Sequence, residues 1–318
     1  MKKLILLSVL IAVFSCKSAP KEVLKSSIIT SDELKEAVSY LASDGLLGRD
    51  TGSKGIAEAA TYLENQFIAL GVKPYFETYK DHFKVDSLDA FNVVGVIEGN
   101  DPKLKDEYII IGAHYDHIGI SKKIVDSDSI ANGANDNAAG TSSVIAMAKY
   151  FAAKKNNKRS LIFVLFSAEE KGLLGSKHLA EKLKAENINL YTMVNMEMIG
   201  VPFKGRDYIA FLTGYEMSNM AEKMNEYLGS KVIGFSEIAK KYNLFRQSDN
   251  YAFYEAFKIP CQTISSCDLS NYDYYHHVDD EADKLDYSHM ASLINSVIPA
   301  IEKMSNTPTK EIKMNEAE

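Results

Sequence analysis

The chain has 318 residues, of which 46% are hydrophobic and 25% charged, and its formal net charge is -7 at pH 7. This length suits one large α/β domain or two small ones, with enough residues for a proper core. The mild acidity and the lack of a basic stripe argue against a nucleic-acid-binding protein, so we expect no nucleic-acid partner.

The N-terminus has the pattern of an export signal. Two lysines precede an apolar run, 4–14, that is too short to span a bilayer. The run ends at Ser15-Cys16, which resembles a bacterial lipoprotein signal in which Cys16 becomes the lipidated first residue. We therefore expect residues 1–16 to be a signal peptide and the protein to be a lipoprotein of the cell envelope. It would lie in the outer membrane, facing the periplasm or the cell surface, and contact the membrane only through Cys16. An ordinary cleaved signal with a spare cysteine is the alternative.

Beyond a polar tether at 17–30, apolar runs and helical periodicity alternate along the chain. Predicted strands cover 91–99, 108–113, 161–166, 193–196, 208–212 and 259–264, and predicted helices cover 31–41, 56–70, 141–153, 217–228, 251–257 and 290–304. This alternation predicts an α/β fold with a mostly parallel, helix-covered sheet. The stretch 118–130 is expected to be a variable loop, and the polar tail 305–318 to be disordered.

The most informative stretch is the predicted strand 161–166 with the two acids that follow it, Glu169 and Glu170. In open α/β sheets, ligands bind outside the carboxyl ends of the strands. A pair of acids alone is more typical of a solvated strand end. Here, however, other predicted strands and their adjoining loops also carry metal-ligand side chains, namely His114, Asp136, Glu197 and His276.

Together with Glu170, these four side chains make five candidate ligands, a set that suits two zinc ions sharing one carboxylate. Asp116 lies two residues after His114, on the same side of an extended segment, where it can accept the second N–H of the imidazole or orient the site. Neighbouring acids in an extended segment point in opposite directions, so the roles of Glu169 and Glu170 should divide. Glu169 is the spare carboxylate and therefore the candidate general base.

Seven motifs together are highly specific, although none would be so alone. They are LASD at 41–44 with GR at 48–49 and Gly52, GAHYD at 112–116, GANDNAAG at 133–140, SAEEKGLLGS at 167–176, NMEMIG at 195–200, SDN at 248–250, and YH at 275–276 followed by Asp280. Over roughly residues 37–302 the chain thus resembles the zinc aminopeptidase family that also contains glutamate carboxypeptidase and the glutaminyl cyclases. The resemblance implies a three-layer sandwich around a mixed sheet. It also implies a single catalytic domain, 31–304, because the stretch 83–92 is too short for the protease-associated domain that some relatives insert.

The resemblance also implies the assignment of the ligands. By analogy with the family, His114 and Glu197 bind one zinc ion together with the bridging Asp136, while Glu170 and His276 bind the other. The family usually has Asp where this chain has Glu197, and the extra methylene lengthens the reach of that carboxylate.

Two further roles follow from the same resemblance. Glu169 is implied to be the general base, and Tyr275 to donate a hydrogen bond to the developing oxyanion. His277 is a rival to His276 as ligand, but only His276 places Asp280 at the spacing found in the family.

The implied function is that of a dinuclear zinc metallo-aminopeptidase, a monomer acting on peptides with a free N-terminus. Glu169 would deprotonate a metal-bridged water that attacks the peptide carbonyl. The alternatives are a glutaminyl cyclase, which uses one zinc ion, and a non-catalytic binding module on the same fold. Carboxypeptidase action would need a basic grip on the substrate carboxylate, for which Arg246 is the obvious candidate. Cys261 and Cys267 either pair in a disulfide or remain free.

Overall fold

A computed structural model describes residues 28–316 of the chain. The predicted signal peptide, Cys16 and most of the tether lie outside the described residues, so the expectations about them stay predictions. Within 28–316, none of the helices combines the length and the hydropathy needed to cross a membrane. The helices are α1 Ser31–Leu41, α2 Lys54–Leu70, α3 Gly140–Lys154, α4 Leu174–Ala185, α5 Met220–Leu228, α6 Glu237–Lys241, α7 Asn250–Phe257 and α8 Tyr287–Asn306.

The described strands form a mixed nine-stranded sheet and a separate hairpin. The strands are β1 Lys73–Pro74, β2 Lys80–Val85, β3 Leu88–Ile97, β4 Glu107–His114, β5 Gly119–Val125, β6 Asp128–Ala131, β7 Ser160–Phe166, β8 Asn189–Glu197, β9 Ala210–Leu212, β10 Ile233–Gly234 and β11 Cys261–Ser265. The large sheet has the order β1-β3-β7-β4-β8-β11-β9-β10, with β2 also paired to β3. Its four central strands, β7, β4, β8 and β11, are parallel, whereas β3 and β9 flank them antiparallel.

The parallel centre of the sheet determines where the candidate ligands meet. Because β4, β7 and β8 run in the same direction, their carboxyl ends lie at one edge of the sheet. His114 ends β4 opposite Phe166, the last residue of β7. Glu197 ends β8 beside it and pairs with the last residue of β11. The fold therefore delivers side chains from several strands to a single edge.

Helices cover both faces of the sheet and make a three-layer sandwich, which confirms the predicted α/β fold. Along β4, Ile109 and Ile111 belong to the core under α1, α2, α3, α5 and α8, while Ile110 belongs to the core under α4 and α7. Residues along β7 alternate between the two cores in the same way, and all seven are buried. A strand buried on both faces has a continuous apolar sequence, which is why the apolar run 161–166 predicts this strand correctly.

The helix bounds follow from local capping chemistry. The side chain of Thr30 accepts a hydrogen bond from the backbone N–H of Glu33 at the start of α1, and the side chain of Ser53 does the same for Ile56 at the start of α2. Gly71 ends α2 in the left-handed conformation, with φ of 70°. The other predicted elements are present with bounds that differ by a few residues.

The segment expected to be a variable loop is instead structured. Residues 119–131 form the antiparallel hairpin of β5 and β6. Within the described residues, Cys261 and Cys267 are both buried and free, so the disulfide alternative is not the one observed.

Both ends of the described chain pack on the domain. The backbone of Ile29, assigned to the tether, exchanges two hydrogen bonds with the side chain of Asn295 in α8. The expectation of a disordered tail is wrong as far as residue 316, because Ile312 is 2% exposed and its backbone N–H donates to the hydroxyl of Tyr191 at 2.8 Å. Because the tail is polar overall, its composition does not indicate that one apolar side chain, that of Ile312, packs in the core.

Truncating the side chain of Ile312 should destabilise the whole domain. We expect Ile312→Ala to lower the free energy of unfolding by about 2–5 kcal/mol, the usual range when a buried aliphatic side chain is truncated. Urea unfolding of the purified domain measures this. The matched control is the exposed neighbour Lys313, whose change to Ala should stay within about 0.5 kcal/mol. Equal stabilities for the two variants would show that the tail does not contribute to the core.

Candidate metal centre

A first group of three side chains gathers at the carboxyl edge of the sheet. The imidazole Nε2 of His114 lies 3.3 Å from Oε1 of Glu197 and 3.3 Å from Oδ1 of Asp136. Asp136 comes from the segment that leads into α3, and all three side chains offer a ligand atom within 4.8 Å of the others. Two strand ends and one helix entry thus contribute to the same point.

A second group lies on the other side of the same aspartate. Nε2 of His276, in the loop after β11, lies 3.3 Å from Oδ2 of Asp136 and 3.1 Å from Oε2 of Glu170. The two oxygens of Asp136 therefore face different groups, Oδ1 toward His114 and Oδ2 toward His276. All five ligands proposed from the sequence come together, with Asp136 between the two pairs.

These distances suit zinc in each group. Ligand atoms about 2.0–2.1 Å from a tetrahedral zinc ion lie about 3.3–3.4 Å from one another. The imidazole–carboxylate distances in both groups, 3.1–3.3 Å, fall close to that separation. Imidazole nitrogen and carboxylate oxygen are also the ligands that zinc commonly takes in catalytic sites.

The electrostatics of the cluster also favour bound cations. Burial alone would lower the pKa of His114, but the negative charges of Glu197 and Glu169 outweigh it and raise this pKa well above its ordinary value. Burial alone would raise the pKa of Asp136, yet hydrogen bonds with His114 and His276 hold it well below the ordinary value. Several buried carboxylates close together thus stabilise positive charge at this point.

Asp280 fixes the backbone of the shared aspartate. Its Oδ1 accepts the backbone N–H of Asn135 at 2.7 Å, and its Oδ2 accepts that of Asp136 at 3.0 Å. The hydroxyl of Tyr272 donates to Oδ1 of Asp280 at 2.5 Å. The carboxylate after the Tyr275-His276 pair therefore acts on the ligand segment from outside the cluster.

Asp116 orients the site, although its carboxylate is not the nearest acceptor for the second ring nitrogen of His114. The second ring nitrogen of His114 contacts the backbone carbonyl of Asp116, at 3.1 Å, more closely than its carboxylate, at 3.6 Å. The carboxylate instead accepts the backbone N–H groups of Glu169 and Glu170, at 3.1 and 3.3 Å. Asp116 thus ties the end of β4 to the acid pair that follows β7.

The longer side chain of Glu197 is held in place by its own partner. The hydroxyl of Ser248 donates to Oε2 of Glu197 at 2.8 Å and accepts from the side-chain amide of Asn195 at 2.9 Å. This bond leaves Oε1 directed at His114. Ser248 belongs to the SDN motif, so the motif has a structural explanation.

His277 does not join either group. Its Nε2 accepts from the ammonium of Lys123 at 3.1 Å, and its Nδ1 lies 3.3 Å from Oδ2 of Asp279. Both ring nitrogens are therefore engaged outside the cluster, and of these two neighbours only His276 faces the carboxylates.

Sequence reasoning missed one histidine. His117 is fully buried, and its Nδ1 lies 2.9 Å from Oε1 of Glu170 and 3.9 Å from Oδ2 of Asp136. His117, Asp136 and Glu170 each offer a ligand atom within 4.8 Å of the others, so this histidine is a rival to His276 in the second group. It lies three residues after His114, where alternation along a strand would place it on the opposite side. Because β4 ends at His114, that alternation does not continue. The nearest sequence signal was the repetition of His around Asp116.

The neighbouring acids Glu169 and Glu170 have different environments. Burial raises the pKa of Glu169 well above its ordinary value, and the charges of Asp249 and Glu197 add to this, although His114 opposes it. Burial alone would raise the pKa of Glu170 too, but hydrogen bonds with His117 and His276 hold it below the ordinary value. Environments that push two pKa values apart are typical of an acid–base residue beside a permanently charged one.

A cleft opens beside the cluster. Its lining includes His114, Asp136, Glu169 and Glu197 together with the apolar side chains of Met198, Phe211, Leu244 and Leu269. Tyr275 lies at the rim, 44% exposed, with its ring stacked on that of His276 at a centroid distance of 4.0 Å. Partial burial and the nearby charge of Asp136 raise the pKa of Tyr275, so its hydroxyl keeps its proton at neutral pH.

A buried arginine holds the surrounding loops together. Arg49, from the GR motif, is fully buried and donates to the backbone carbonyls of Leu41, Tyr115, Asn132 and Gly133. Burial lowers its pKa to about 10, against the opposing effect of Asp116 and other acids. One guanidinium therefore joins the end of α1, the segment after β4 and the segment before Asp136.

A model of peptidase family M28 matches residues 92–301, more than half of the chain. The chain belongs to peptidase family M28. The probable leucine aminopeptidase of Trichophyton verrucosum is 27% identical over 265 residues, which cover 79% of this chain and 65% of that protein. The match to the probable zinc metalloprotease of Pyrenophora teres f. teres covers 40% of the length of that protein. The chain thus spans less than two thirds of the length of these curated relatives.

Solved structures share the fold. The crystal structure of the Legionella pneumophila LapA aminopeptidase is 25% identical with a TM-score of 0.66, and the match covers 89% of this chain and 74% of that one. The crystal structure of Porphyromonas gingivalis glutaminyl cyclase is 13% identical with a TM-score of 0.69, covering 88% of this chain and 100% of that one. At that identity the second likeness shows the fold alone.

Removing the guanidinium of Arg49 should loosen metal binding as well as the fold. We expect Arg49→Met to leave buried carbonyls unpaired, each of which costs about 1–3 kcal/mol. Because two of them precede Asp136, zinc affinity measured by chelator competition on the folded fraction should fall too.

The matched control for this variant is Arg159→Met. Arg159 is also fully buried and donates to the carbonyls of Met304 and Thr307 at the opposite end of β7. This variant should lose stability but keep its zinc affinity. An unchanged zinc affinity in Arg49→Met would contradict the role assigned to Arg49.

Proposed function

We propose that this chain is a dinuclear zinc aminopeptidase that removes N-terminal residues from peptides. The observation that carries the proposal is the position of Asp136, whose two oxygens each lie 3.3 Å from a different histidine. His114 and Glu197 would hold one zinc ion with Asp136, and Glu170 and His276 the other. Zinc bound there lowers the pKa of a water molecule and polarises a peptide carbonyl.

Glu169 is the general base of the proposed reaction. It lines the cleft and is not part of either ligand group. Its carboxylate takes a proton from the attacking water and returns it to the leaving amine. The raised pKa of Glu169 favours the first of these steps, because a stronger base takes up a proton more readily.

Tyr275 acts on the carbonyl oxygen of the peptide in the same step. Its protonated hydroxyl at the rim of the cleft donates to the negative oxygen that develops on the peptide carbonyl. The stacking of its ring on His276 orients the hydroxyl relative to the ligand groups.

The lining of the cleft favours cleavage from the N-terminus over cleavage from the C-terminus. Among the described residues that line it there are four carboxylate or imidazole ligands and Glu169, and no lysine or arginine. Such a lining offers no side-chain cation to a C-terminal carboxylate, which favours substrates that are held by their N-terminus. Arg246, the candidate for gripping such a carboxylate, lines a separate cleft and lies over the ring of Tyr251.

The two other functions on this fold have less support. A glutaminyl cyclase uses one zinc ion, whereas both ligand groups here have a complete donor set. A non-catalytic module has no need for an acid such as Glu169, which lines the cleft and belongs to neither ligand group. The short link from Glu170 to α4, which begins at Leu174, also lacks the longer segment usual in the cyclases.

The proposal is tested most sharply by separating the base from the ligand. Glu169→Gln keeps size and hydrogen bonding but takes up no proton, so kcat on an aminoacyl-nitroanilide should fall about 10²–10⁴-fold while both zinc ions remain. Glu170→Gln should lose zinc first and recover activity in excess zinc, because its negative charge holds the ion. Elemental analysis and rates are measured on both variants.

The control substrate is the same nitroanilide with an acetylated amino group, which the wild-type enzyme should not cleave. Wild-type rates in both Gln variants would show that the acid pair is structural and would contradict the proposed function. A metal-poor but zinc-rescuable Glu169→Gln beside a metal-replete, inactive Glu170→Gln would mean that the two roles are exchanged.

A further inference from the structure

His117 is the one buried histidine beside the metal groups, within residues 28–316, that the proposed mechanism does not use. Its side chain is inaccessible to solvent, and Nδ1 points at Glu170. Its ring also packs edge-to-face against that of His276, with a centroid distance of 5.7 Å. His117 therefore touches two of the three residues that make up the second group.

The carboxylate of Glu170 is divided between two histidines. Oε2 lies 3.1 Å from Nε2 of His276, close to the separation of two ligands on one zinc ion. Oε1 lies 2.9 Å from Nδ1 of His117, the usual length of an N–H···O hydrogen bond. The distance of 3.9 Å from His117 to Oδ2 of Asp136 is longer than the His276 distance to the same atom, 3.3 Å. His117 also lies close enough to Asp136 and Glu170 to hold a metal ion. The shorter distance to Asp136 favours His276 as the ligand and leaves His117 as a donor to Glu170.

The other ring nitrogen of His117 supports the same assignment. Metal-bound histidines almost always donate their remote N–H to an acceptor. Nε2 of His117 is buried and has no hydrogen-bond partner among the described residues. A ligand bound through Nδ1 would leave an N–H at Nε2 without an acceptor. If the proton is on Nδ1 instead, the single N–H of the ring donates a hydrogen bond to Glu170 and no N–H is left unpaired.

The ring of His117 is held in a fixed direction. Its backbone N–H donates to the carbonyl of Arg49 at 3.3 Å. On the other side the ring lies against Gly133, where an added Cβ would come within 2.5 Å of Cγ of His117. Gly133 has a φ of 58°, so both its conformation and this close approach require glycine.

We propose that His117 is a positioning residue of the second metal site. Its Nδ1–H holds Oε1 of Glu170, so that Oε2 is presented to the metal together with Asp136 and His276. This inference rests on the proposed function for the presence of the metal, and it assigns to His117 a role outside the ligand set.

Two amide variants test the assignment, because they place the same group at different points. The amide of His117→Asn can take the place of Nδ1, whereas that of His117→Gln reaches the place of Nε2. We expect His117→Gln to lower the affinity for one of the two zinc ions about 10–100-fold, the usual effect of losing a partner of a metal ligand. His117→Asn should stay within a few-fold of wild type. Chelator competition on the full chain gives both affinities, and urea unfolding of the metal-free proteins checks that each variant is folded.

Each other outcome contradicts the proposal. Equal losses in both variants mean that His117 binds the metal itself, since an amide is a poor substitute for imidazole as a zinc ligand. Wild-type affinities in both variants mean that His117 does not act on the site. The readout needs no turnover, so a wild-type protein that binds two zinc ions without cleaving peptides would refute the proposed function and leave this test valid.

Discussion

The shared carboxylate of Asp136 is the constraint on which the rest of the site depends. It lies in the interior beside three histidines and two other acids, where an unpaired charge would be strongly destabilising. Its two oxygens face opposite groups, and its backbone N–H is fixed by Asp280. A single side chain therefore sets the separation and the relative orientation of both ligand groups.

The remaining candidate ligands reach this carboxylate because loops from different strands are tied to one another. Asp116 joins the end of β4 to the acid pair after β7, and Ser248 holds Glu197 at the end of β8. Arg49 joins the segments on either side of the hairpin of β5 and β6 through backbone carbonyls. These contacts give the polar residues of the motifs structural roles outside the ligand set, and supporting partners of this kind typically determine how well a metal site is organised.

Much of the fold and the ligand set could be predicted because both follow from patterns local in sequence. The doubly buried run 161–166 indicates a central strand, and acids or histidines after such strands meet at one sheet edge. His117 and the tail residue Ile312 could not be predicted, because each depends on a contact with a distant segment. The direction of His117 is set by Glu170 and Gly133, and the burial of Ile312 by a gap that only the folded core contains.

The central claim is that two metal ions share Asp136, and X-ray absorption spectroscopy at the zinc edge tests it most directly. The protein loaded with two equivalents of zinc should show metal–metal scattering at about 3.5–4 Å, the separation of paired ions in such sites. Asp136→Asn, which removes the bridging charge, should lose this signal. Saturation at a single zinc equivalent, or two ions with no metal–metal scattering, would contradict the account.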